Sequence, residues 1–157
     1  MKKIILIILF PINYLFAIEA TCNFEEVYQN GEIQQGVFLI KNQMFRYQYY
    51  DQDLFTIISK KNNYYLVKNN TKIVQKIDKN TDTIQALVDI ISDFPNLKDT
   101  YKYNNSIIKI EHSANKFIKR VSIKSEKLNL SINILNCNFD KIEKKYFKHF
   151  DFEEYRG

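Results

Sequence analysis

The sequence has no tryptophan and very little glycine, proline, histidine or cysteine. Its three glycines are too few and too scattered to build a phosphate-cradling loop, in which several glycines let backbone amides converge on one anion. The two histidines, His112 and His149, lie far apart, and neither has a partner at metal-ligand spacing. No serine sits in a nucleophile-elbow pattern, and Cys137 has no activating neighbour. The adjacent acids Glu25 and Glu26 point to opposite faces of a strand and form no paired cleft. These absences leave no catalytic constellation and no cofactor, so the chain reads as a non-enzyme. Lys and Arg are also nowhere clustered with interleaved aromatics. The net charge is only +5, and Lys2 and Lys3 supply two of those charges. That excludes a nucleic-acid footprint. A run of about 20 apolar residues, the length of a membrane-spanning helix, is missing too.

What is present begins with "MKKIILIILFPINYLFAIEA". A basic start, an apolar stretch from Ile4 to Phe10 and small residues at Ala17 and Ala20 give the layout of a secretory signal peptide. Pro11 and Asn13 interrupt it as a membrane anchor. The expected organisation is a signal peptide over 1–17, cut after Ala17 or Ala20, and a single domain over 18–157. Cys22 is not in a lipid-attachment context, because Glu19 stands where an aliphatic residue is needed. An exported chain meets an oxidising compartment, so Cys22 and Cys137 are expected to pair.

Strand signals dominate the mature chain. "CNFEEVYQ" and "EIQQGVFLIK" flank Asn30-Gly31, a strong hairpin signal. "MFRYQYY", "LFTIIS", "YYLVK" and "TKIVQKI" follow, separated by Asn-Lys turns. The period then changes. Ile84, Leu87, Val88 and Ile91 fall at i, i+3, i+4 and i+7, the stripe of an amphipathic helix over 82–93, with Pro95 after it. Strands resume with "TYKY", "SIIKIEH", "KFIKRVSI" and "KLNLSINIL". In the last, Leu128, Leu130, Ile132 and Ile134 share a face. The aromatic tail "YFKHFDFEEYRG" is expected to pack back on the sheet. The fold class is α+β: an incomplete, strongly curved antiparallel β-barrel of eight to ten strands, with the helix covering its concave apolar face.

The rings are concentrated in "GVFLIKNQMFRYQYY". As strands, these residues put Phe45, Tyr47 and Tyr49 on one face, beside Phe38 and Ile40, and turn Arg46 to the other. Two readings fit this pattern. One is an ordinary core that the helix plugs permanently. The other is a small cavity for a fatty ligand.

The stretch "EIQQGVFLIKNQMFRYQYYDQDLFTIISKKNNYYLVKNNTKIVQKI" and the helix "DTIQALVDIIS" resemble the LolA family of periplasmic outer-membrane lipoprotein carriers. The shared order is a strand containing Gly36, the Phe45-Arg46-Tyr47 strand, Phe55 to Ser59, Tyr64-Tyr65, and a helix. The resemblance implies an incomplete barrel whose cavity takes lipoprotein acyl chains. It implies partners too: an inner-membrane lipoprotein-releasing ABC transporter and an outer-membrane lipoprotein acceptor, with the carrier acting as a monomer in the periplasm. Phe45 falls on the family's cavity-lining phenylalanine. The acyl-contacting set so implied is Phe38, Ile40, Phe45, Tyr47, Tyr49, Ile84, Leu87, Val88 and Ile91. The family's Arg-Pro, associated with holding the lid closed, is replaced by Asn42-Gln43, and the family's first helix has no counterpart before "CNFEEVYQ". The competing expectation is a disulfide-tied envelope interaction module with a solid core.

Overall fold

A computed structural model of the chain describes residues 19–60, 63–77, 82–115, 117–126 and 128–148. The segment read as a signal peptide, the side chain of Ile84 and the tail from His149 onward lie outside the described residues.

Alternating segments become strands, and the turns between them fall where the chain can bend. β1 (Glu19–Tyr28) and β2 (Ile33–Lys41) are joined through Asn30-Gly31. Gly31 takes φ +85°, and its amide donates to the Tyr28 carbonyl at 3.0 Å, which closes the turn. A two-residue turn, with Asn42 at φ 48°, leads to β3 (Met44–Tyr49). β4 (Phe55–Lys60), β5 (Asn63–Lys68) and the short β6 (Val74–Lys76) complete a meander. The chain then forms α1 (Asp82–Asp93), which ends just before Phe94-Pro95. β7 (Thr100–Tyr103), β8 (Ser106–His112), β9 (Ile118–Ser125) and β10 (Asn129–Asn138) form a second meander.

The two meanders fuse into one antiparallel sheet of ten strands, ordered β6-β5-β4-β3-β2-β1-β10-β9-β8-β7. The first strand therefore pairs with the last, at the middle of the sheet. β6 and β7 are the two edges, so the sheet is open, and the connection between them carries α1 from one edge to the other. Cys22 and Cys137 lie opposite one another on β1 and β10 and are bonded, across a separation of 115 residues. In the chain-entropy account, closing a loop of that length stabilises the fold by about 4–5 kcal/mol. The pairing shifts between Cys22 and Phe24, so that β10 contributes an extra residue there.

The tail crosses the face opposite α1. Its 3₁₀ turn (Lys144–Phe147) buries Phe147 against Leu39 and Ile142, with Val37, Met44 and Tyr146 around them. Lys41, itself buried, pairs with Glu19 at 2.9 Å and donates to the Ile142 carbonyl. Glu19 also accepts from the Ile142 amide, and its hydrogen bond with Lys41 holds its carboxyl below the usual carboxylate range.

Candidate functional site

The sheet register determines which side chains share the α1 side. Cys22 faces Phe38, Phe24 faces Gly36 and Glu26 faces Gln34 across β1 and β2. Phe38 then faces Tyr47, Ile40 faces Phe45 and Gly36 faces Tyr49 across β2 and β3. Period-2 alternation thus puts Ala20, Cys22, Phe24 and Glu26 on the same face as Phe38, Ile40, Phe45, Tyr47 and Tyr49. Leu87, Val88 and Ile91 of α1 pack into the apolar cluster these residues form, together with Phe55 and Tyr64. Ala86 and Ile90, on the neighbouring side of the helix, pack against Tyr101, Ile108, Ile110 and Val121 of the second meander. Of the nine side chains expected to contact acyl chains, the eight that are described therefore meet in one cluster. Phe45 is only 7% exposed there, with its ring stacked between Phe38 at 6.2 Å and Tyr47 at 6.1 Å.

Gly36 makes room for the centre of this face. The Phe24 ring lies over it, 1% exposed, and stacks on Tyr47 with centroids 4.0 Å apart. Tyr49 stands edge-on to Phe24 at 5.6 Å, to Tyr47 at 5.5 Å and to Phe55 at 5.2 Å. Stacked and perpendicular rings alternate, which is the arrangement their quadrupoles favour.

At the hairpin end of β1 the face turns polar. Glu26 is 3% exposed and takes hydrogen bonds from three tyrosines. Tyr47 donates to Oε1 at 2.5 Å, and Tyr28 donates to Oε2 at 2.6 Å. Tyr49 reaches both oxygens, at 3.0 and 2.9 Å. Both carboxyl oxygens accept from tyrosine hydroxyls. Burial, with the Glu26 charge adding to it, raises all three hydroxyl pKa values above the tyrosine norm. For Tyr28 the value is pushed up to about 12. Among the described residues, no Lys, Arg or His lies within ion-pair distance of Glu26.

In the sequence Glu26 is half of an adjacent acidic pair whose members point to opposite faces of a strand. Its parity with Cys22 and Phe24 was the available signal that it faces inward. Arg46 faces the other way, as expected. It donates to the Tyr146 carbonyl and to Gln48, and burial lowers its pKa to about 10. His112 sits 3.4 Å from Asp99, away from the ring-lined cluster. Among the described residues no group of His, Cys, Asp and Glu could hold a metal ion, and no helix is long and apolar enough to cross a membrane.

No protein-family model and no curated protein matches the chain. Among solved structures, the crystal structure of a LolA superfamily protein from Nitrosomonas europaea superposes with a TM-score of 0.48. The superposition covers 84% of this chain and 90% of that one, at 6% sequence identity. A likeness that low carries no argument about function.

Proposed function

We propose that this protein is a non-catalytic carrier of acyl chains, which it holds between α1 and the ring-lined face of the sheet. One observation carries the reading: a continuous apolar face of Phe and Tyr rings, covered by a single amphipathic helix instead of a second sheet. The face is closed in this structure, so a chain enters by replacing the contacts of Leu87, Val88 and Ile91. Each methylene so buried contributes about 0.8 kcal/mol, which needs no polar reader. The helix is suited to such an exchange. Among the described residues, its side-chain hydrogen bonds to strands run to β7 alone: Tyr103 to Asp89 at 2.9 Å and Tyr101 to Asp93 at 3.0 Å. Its packing into the ring-lined cluster is through Leu87, Val88 and Ile91, all apolar.

In this reading the protein works in the periplasm as a monomer. It takes lipoprotein acyl chains from an inner-membrane ABC transporter and passes them to an outer-membrane acceptor. Signal cleavage after Ala17 suits the fold better than cleavage after Ala20. The later cut would remove Glu19, which ties β1 to Lys41 and to the tail, and Ala20, which is fully buried. The filled face and the disulfide also suit an envelope interaction module with a solid core.

Binding of a fluorescent fatty-acyl probe to the purified, delipidated protein separates the two readings. A carrier binds it saturably. Phe45→Glu or Leu87→Glu, folded by circular dichroism, loses it, because a carboxylate in the acyl path must be desolvated. A wild-type protein that ignores the probe overturns the carrier reading and leaves the interaction module.

A further inference from the structure

Glu26 is the buried carboxylate on the ring-lined face. A buried carboxylate without a cation costs several kcal/mol in desolvation that hydrogen bonds only partly offset. Tyr28, Tyr47 and Tyr49 satisfy the acceptor positions of Glu26, and among the described residues no cation stands beside it. All three remain neutral donors at ordinary pH. The carboxylate also lies among aromatic rings. Phe24 and Tyr47 are stacked, and Tyr49 stands at 83° to Phe24 and at 81° to Tyr47. The faces of such rings carry negative potential and attract cations, most effectively when water is excluded. Carboxylate and rings therefore act with the same sign. They favour a positive group whose surface is itself partly apolar, and they repel a carboxylate or phosphate brought to the same place.

The position matters as much as the sign. Along β1, Ala20, Cys22 and Phe24 face α1 before Glu26 does, and Tyr28 and the Asn30-Gly31 turn come next. At about 3.3 Å per residue, the apolar track from Ala20 to Glu26 runs for ~20 Å and ends on the charge. An extended amphiphile on this track has its tail among the rings and its head at Glu26.

We propose that Glu26, with the rings of Phe24, Tyr47 and Tyr49, binds an alkylammonium head group, so that the ligand held under α1 is a cationic-headed amphiphile of the choline type. This rests on the acyl-chain reading above and specifies which end of the ligand lies where.

The experiment compares three twelve-carbon amphiphiles below their micellar concentrations, by isothermal titration of the purified protein. They are dodecyltrimethylammonium, dodecyl maltoside and dodecanoate, with cationic, neutral and anionic heads. The expected result is binding of dodecyltrimethylammonium at least tenfold tighter than dodecanoate, with the maltoside between them. Glu26→Gln keeps the shape and an acceptor for the tyrosines, so it is expected to remove the preference while the maltoside binds as before. Equal affinities in the wild type, or tighter binding of dodecanoate, overturn the head-group site and leave the carrier reading standing. Wild-type selectivity alone decides this if Glu26→Gln does not fold. A preference that survives in folded Glu26→Gln also overturns the site. If none of the three binds, both readings fall.

Discussion

Gly36 shows how far one side chain can be dictated by its neighbours. A Cβ there would lie 2.1 Å from the Gln48 carbonyl oxygen and 2.5 Å from Cζ of Phe24. The first of these is backbone and cannot swing aside. Gly36→Ala is therefore expected to cost about 3 kcal/mol, at the upper end for overpacking, and urea unfolding midpoints measure it. The tyrosines around Glu26 give a second prediction. Their folded pKa values are raised, so they favour the neutral form in the fold. The stability they supply is fully present below the unfolded value of about 10 and is lost as pH rises through the folded values, about 12 for Tyr28. Spectrophotometric titration near 295 nm should show Tyr28, Tyr47 and Tyr49 ionising only as the protein unfolds, and Tyr28→Phe should shrink that phase. The rings were legible in the sequence because strict alternation marks a face. The role of Glu26 was not, because an acid in an alternating strand looks the same whether it meets water or a cage of hydroxyls.

At the scale of elements, α1 was legible from its stripe and its proline stop, and the hairpins from Asn30-Gly31 and the Asn-rich turns. The bulge between β1 and β10 was not. Alternation in "KLNLSINIL" holds through Ile134, but Cys137 reaches the same face three residues later because the register shifts. Only the partner strand dictates that shift. The attachment of α1 was hidden for a similar reason: Asp89 and Asp93 look like the solvent side of an amphipathic helix. Instead they accept from Tyr103 and Tyr101, and Lys98 pairs with Asp93 at 3.1 Å and holds its carboxyl below the usual range. Tyr101→Phe with Tyr103→Phe removes two hydrogen bonds to carboxylates and should lower stability by about 2–3 kcal/mol in total. Hydrogen exchange should accelerate in α1 first, since the strands keep their own ladders. An unchanged exchange rate in α1 would mean that apolar contacts alone hold it.

For the molecule as a whole, the disulfide was legible from one pair of cysteines behind a signal-peptide-like start, whereas the strand order was not. Two successive meanders could equally have formed two sheets. What joins them is the pairing of β1 with β10, a contact between distant parts of the chain that no local pattern encodes. The disulfide sits on that seam. Reduction should lower unfolding stability by about 4–5 kcal/mol in the chain-entropy account, and chemical denaturation with and without a reductant reads the difference. If reduction changes nothing, β1 and β10 are held by their ladder and the tail alone.

The central place of β1 also bears on how such a chain is made. Synthesis delivers β1 early and β10 late, so for most of translation the strand at the heart of the sheet has one unsatisfied edge. A nascent chain missing its final strands cannot complete the fold. The same order leaves an unpaired edge that must be shielded from other chains until the last strand arrives. Closure of the seam, and the disulfide that locks it, therefore come last in assembly.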